Sequence, residues 1–154
     1  TEEDLKKLSD DIFMYYGLGC RSVSKIYLPK DYDLDILFKQ VYSWKDIINN
    51  SSYYNNYTYN KTIYLMSEEK FFDNGFLILK ESTEIGSPIG AVFFEYYEND
   101  NTVIKSLKKY SEKIQCIVGK NIVENSVEFG NTQRPSLDDF ADKINTLDFL
   151  LKLS

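Results

Sequence analysis

The chain has 154 residues, 43% of them hydrophobic and 27% charged, with 18 basic against 24 acidic side chains and a net charge of −6. That length suits one domain with one core, and the composition is that of a folded globular chain, which excludes a disordered, collagen-like or coiled-coil protein. The acidic balance leaves no basic patch to grip a phosphate backbone, so no nucleic acid partner is expected.

Apolar runs are only a few residues long, far below the ~20 of a membrane-crossing helix, and the amino end is acidic rather than leader-like. A cytoplasmic protein without a membrane span is expected. The two cysteines, Cys20 and Cys116, follow no metal spacing, and there is no histidine. A zinc site and a disulfide framework are therefore not expected, and triads that use imidazole as general base are ruled out. The 13 Tyr and 10 Phe place many rings at the core margin or in an interface.

In chain order, residues 1–16 read as a helix, with Thr1 as cap, an acidic first turn, and Leu5, Leu8, Ile12 and Tyr15 or Tyr16 on one stripe. It runs into Gly17-Leu18-Gly19-Cys20, a tight turn whose glycines permit close approach to the main chain. Residues 24–28 read as a strand ended by Pro29, and Asp31 or Asp33 caps a helix carrying Leu34, Leu37, Phe38, Val41, Trp44 and Ile48. Residues 49–60, rich in Asn, Ser and Tyr, read as an irregular connection before a short helix at 61–66.

Strands at 75–80 and 89–96, a helix at 102–113, a strand at 114–118 and helical turns within 137–153 complete the pattern. The run from Ile89 to Phe94 suits a strand buried on both faces, as in parallel sheets covered by helices. The fold class expected is α/β: a three-layer, mostly parallel sheet flanked by helices, in one domain over residues 1–154.

Cys20 is the candidate catalytic residue. It sits on a glycine-flanked turn, where a freed backbone N–H can serve the oxyanion of an acyl transfer, and Arg21 and Lys25 follow as cations that favour a thiolate. Against this stands the commoner role of a free cysteine as a small buried apolar group. Cys116, between apolar neighbours, fits that role and reads as core. Arg21 and Lys25 have the alternative of being ordinary surface charges. The segment 53–60 reads as a packed loop, with an acyl tunnel or an oligomer interface as alternatives. Asp138-Asp139 has no partner in the pattern and reads as an acidic helix start.

The run F-M-Y-Y-G-L-G-C-R-S-V-S-K-I-Y-L-P at 13–29 resembles the nucleophile segment of the aldehyde dehydrogenase superfamily, and within it the acyl-CoA reductases related to the fatty-acid reductase of bacterial bioluminescence. Glu84-Ile85-Gly86-Ser87-Pro88 is similar to the superfamily's E-x-F-G-P element, with Gly86 in place of Phe. Phe129-Gly130 followed by Gln133 and Pro135 resembles the loop that closes the catalytic domain beside the active site. Leu18 stands where most of the superfamily has Gln, as in the reductase branch.

The resemblance implies a catalytic lobe in which Cys20 takes an acyl group from an acyl-CoA or acyl-protein thioester and NADPH then releases an aldehyde. It implies that Glu84 contacts the cofactor's nicotinamide ribose. It also implies that a separate amino-terminal domain, expected upstream of Thr1, carries the main cofactor site, an oxyanion amide and an acidic base, so that this chain alone is inactive. No resident metal is implied, and a homodimer is the usual assembly. The alternatives are an aldehyde-oxidising enzyme of the same superfamily and a non-catalytic interaction module.

Overall fold

The computed structural model of the protein describes residues 1–120, 123–124, 126–137, 139–140 and 144–153. Helix α1 spans Glu2–Phe13, and Thr1 caps it in a reciprocal box with Asp4, which satisfies two of the donors that a helix start leaves open. Leu8, Ile12 and Phe13 are buried along it, with Leu5 packed at the margin. The helix stops there. A 3-10 turn over Met14–Gly17 follows, in which Tyr15, Tyr16 and Gly17 all have positive φ, at 55°, 60° and 71°. Both tyrosines are consequently exposed instead of extending the apolar stripe.

Strand β1 spans Lys25–Pro29 and helix α2 spans Leu34–Val41, with the Asp33 side chain accepting the Asp35 N–H at 2.9 Å. The expected longer helix changes character at Tyr42 and continues as a 3-10 run through Asn49. This brings Trp44 onto Phe13, ring centroids 5.7 Å apart, with the indole N–H donating to Asp10.

The irregular connection expected at 49–60 is instead part of a 16-residue helix, α3, over Ser51–Met66. Asn50 caps it by accepting the Tyr53 N–H at 2.9 Å. Its buried side is Tyr53, Tyr57, Asn60 and Tyr64, spaced as one helical face. The Tyr53 hydroxyl donates to the Phe76 carbonyl and the Tyr57 hydroxyl to Asp73, so each ring is buried without leaving its polar end unpaired.

The sheet contains β2 (Phe72–Asp73), β3 (Ile78–Glu81) and β4 (Ala91–Tyr97) besides β1, in the order β1-β4-β3-β2. β1, β4 and β3 run parallel, and β2 is an antiparallel edge. The fold is thus α/β, an open four-stranded mixed sheet flanked by helices. Residues 77–79 and 91–94 are buried throughout, as expected for strands covered on both faces. Helix α4, Asp100–Lys109, packs Val103 and Leu107 inward, and Ser106 bonds the Tyr27 hydroxyl of β1 at 2.8 Å.

Residues 114–118 do not form the expected strand; among the described residues Val118 makes an isolated bridge to Val127. Without a ladder to enclose it, Cys116 is half-buried rather than core. Of the helical turns expected within 137–153, α5 covers Thr146–Leu151, while Asp138 and residues 141–143 lie outside the described residues. Asp139 does not begin a helix; its carboxylate pairs with Arg21. Among the described residues no helix is long and apolar enough to cross a membrane.

Candidate active site

Two adjacent parallel strands, β3 and β4, are joined by residues 82–90 alone, with no helix in the connection. The segment therefore leaves the carboxyl end of β3 and must run back to the amino end of β4. The turn holding Cys20 arrives at that same edge of the sheet, because β1 pairs in parallel with β4 and the Phe93 N–H donates to the Ser24 carbonyl. The result is a cleft of about 220 Å³ lined by Gly17, Gly19, Cys20 and Ser22, by residues 87–92, and by the apolar side chains of Phe13, Tyr53 and Leu77.

Cys20 is a free, exposed thiol on that cleft. The turn around it is closed by the Ser22 N–H donating to the Gly19 carbonyl at 2.9 Å, and tied to α1 by the Val23 N–H donating to the Asp11 carbonyl at 3.0 Å. Among the described residues, no hydrogen bond engages the Cys20 N–H, which leaves a donor beside the sulfur of the kind an oxyanion requires.

Residues 129–133 reach the same turn. The buried Asp11 carboxylate accepts the Gly130 N–H at 2.7 Å, the Thr132 N–H at 3.0 Å and the Thr132 hydroxyl at 2.9 Å. Gln133 then places its amide against Gly19 and donates to the Ser22 hydroxyl at 3.2 Å. Asp11 escapes sequence reasoning, since it reads as an ordinary acid in an acidic helix. The one available signal is its phase, one residue before Ile12 on the buried side.

The cations expected to favour the thiolate are engaged elsewhere. Arg21 pairs with Asp139, and the Lys25 ammonium, almost fully buried, bonds the Ser82 carbonyl and Glu95. Lys25 thereby anchors the start of the 82–90 segment. Glu84 lies on that segment, exposed and outside the cleft lining, whereas Ser87 and Pro88 are in it. Cys116 contacts the opposite side of the turn, its sulfur 3.9 Å from the Arg21 carbonyl. Burial pushes the Cys116 thiol up from its ordinary pKa, against the pull of Arg21.

No protein-family model matches the chain, and no curated protein matches it. Among the described residues no group of three or more His, Cys, Asp or Glu side chains is arranged to hold a metal ion. The tyrosines of 53–60 divide by helical phase: Tyr53 and Tyr57 are core, and Tyr54 and Tyr59 face solvent. Of these, Tyr53 alone lines the cleft.

Proposed function

We propose that Cys20 is the acyl-accepting thiol of a thioester reductase of the aldehyde dehydrogenase superfamily, in the acyl-CoA reductase branch. The observation that carries this reading is convergence. The three segments that resemble superfamily elements are far apart in sequence, yet Gly17, Gly19, Cys20 and Ser22 of the first and Ser87 and Pro88 of the second line one cleft, and Gln133 of the third rests on the turn that holds the thiol.

In the proposed step the Cys20 sulfur attacks the thioester carbonyl carbon. The carbon–sulfur bond to coenzyme A, or to a carrier protein, breaks, the leaving thiolate takes up, through solvent, the proton that the Cys20 thiol gives up, and the acyl group remains on Cys20. The Cys20 N–H, unengaged among the described residues, would serve as an oxyanion donor, and the exposure of Cys20 admits a bulky donor. NADPH would supply the hydride that releases the acyl group as an aldehyde. The resemblance assigns the contact with the ribose hydroxyls to Glu84, an exposed carboxylate on the segment leading into the cleft but outside its lining. The rest of the cofactor site, the second oxyanion donor and the general base would come from an amino-terminal domain outside these residues. The three-layer catalytic-domain architecture, a homodimer and a cytoplasmic location belong to the same proposal.

Incubation of the chain with octanoyl-CoA followed by intact-mass analysis tests this. An adduct of one octanoyl group is expected, absent in Cys20→Ser. Failure to form it, here and in a longer protein that includes any upstream domain, would sink the reading. Product analysis of that longer protein, aldehyde against acid, separates a reductase from an aldehyde oxidiser.

The interaction-module reading has one observation in its favour. Leu147, Phe149, Leu150 and Leu151 of α5 are all exposed, more apolar surface than a short helix needs for itself.

A further inference from the structure

Cys20 is exposed and its neighbouring cations are paired away, so something other than charge must fix where its sulfur points. We propose that Gln133 is a positioning residue for Cys20, acting through Gly19 and anchored by Asp11.

Gly19 has no side chain, and the space is taken: a Cβ built there would fall 2.8 Å from Gln133 Oε1 and 2.9 Å from Nε2. The amide therefore rests directly on the backbone of the residue before Cys20. The same amide donates to the Ser22 hydroxyl at 3.2 Å, two residues after Cys20. One planar group thus bridges the residue before Cys20 and the residue two after it. Gln133 can do this because its own base is fixed, with Asp11 and Thr132 only 1% and 0% exposed and joined by two hydrogen bonds. Asp11 also holds the exit of the turn through its carbonyl. A single buried residue therefore registers the brace against the turn that it braces.

The physical consequence is selective. Acyl transfer needs the sulfur in line with a carbonyl carbon held by other contacts, and a misplacement of about 1 Å costs on the order of 100-fold. A small alkylating reagent reaching an exposed sulfur needs no such alignment. The kinetic part of the inference rests on the acyl-acceptor reading of Cys20, whereas the existence of the brace does not.

The test uses the full chain and two variants, Gln133→Ala and Gly19→Ala. In Gln133→Ala, amide hydrogen exchange is expected to quicken about tenfold in residues 19–23. Single-turnover acylation of Cys20 by octanoyl-CoA should slow by about 10- to 100-fold, while its alkylation by iodoacetamide stays within about twofold. In Gly19→Ala the added methyl displaces the amide and should reproduce these effects. Adding Gly19→Ala to Gln133→Ala should change little more, the mark of two residues acting through one contact. Unchanged exchange in both single variants would overturn the brace, as would additive effects in the double variant. Acylation and alkylation falling together would overturn positioning in favour of simple occlusion. If the unmodified chain is not acylated, the acyl-acceptor reading fails by itself, and exchange in the single and double variants still decides the brace.

Discussion

Arg21, the residue after Cys20, pairs its guanidinium with the carboxylate of Asp139, 118 positions along the chain. The side chain of Arg21 is only 12% exposed and that of Asp139 40%, so the pair is more than a solvated surface contact. Arg21→Met is expected to lower stability by about 1.5–3 kcal/mol, the range for hydrogen bonds to charged groups, and to make the chain at Asp139 more sensitive to protease. Cys20 alkylation should be unaffected, because the cation faces Asp139. A denaturant midpoint and a limited digest check both halves.

Gly75 and Gly90 both have positive φ, at 95° and 83°, but different surroundings. A Cβ at Gly75 meets nothing within 4 Å, whereas one at Gly90 falls 2.7 Å from the Tyr57 Cα. Gly75→Ala should therefore cost only the backbone strain, about 1–2 kcal/mol. Gly90→Ala must also push α3 from the turn before β4, adding an overpacking cost of about 1–3 kcal/mol. Chemical denaturation of the two variants should rank them in that order; equal losses would contradict the close approach of α3.

Burial, and then the hydrogen bond to Asp73, pushes the Tyr57 hydroxyl from its ordinary 10.0 up to about 12. Tyr53 is raised further, by burial above all. In the unfolded chain both would ionise near 10, so between 10 and 12 the folded state binds more protons and stability falls as pH rises. The contribution is fully present below pH about 10 and is lost as pH climbs through the folded value. Tyr57→Phe should flatten this alkaline slope, measured as the thermal midpoint against pH from 9 to 12.

Iodoacetamide at neutral pH should label Cys20 at least about tenfold faster than Cys116. Exposure favours Cys20, and the burial that raises the Cys116 thiol lowers its reactive fraction. Peptide mapping over a time course gives both rates. Equal labelling would mean that the turn and the 114–118 segment part readily.

The sequence was legible where one apolar period governed one element. α1 follows from Leu5, Leu8 and Ile12 with Thr1 as cap, and β4 from its unbroken apolar run. α3 was hidden because its buried face is tyrosine and asparagine, residues that a hydropathy reading scores as loop, although the spacing Tyr53, Tyr57, Tyr64 was there to be counted. The 114–118 segment misled in the opposite way, since strand-like composition does not supply a neighbouring strand to pair with. For the candidate site, the glycine-flanked turn that holds Cys20 was readable as a local pattern. The contacts joining them, Asp11 with Thr132 and Gln133 with Gly19, depend on tertiary approach across more than 100 residues, and no local spacing encodes them.

The left-handed run at Tyr15, Tyr16 and Gly17 bears on how Cys20 is aimed. A right-handed helix advances about 100° per residue and would hand its azimuth on to whatever followed. Three residues winding the other way, two of them tyrosines at a cost of about 1–2 kcal/mol each, interrupt that transmission. The bearing of the sulfur is therefore not inherited along the backbone from the end of α1; α1 acts on it instead across the turn, through the Asp11 carbonyl that holds Val23 and the Asp11 carboxylate that seats the Gln133 segment.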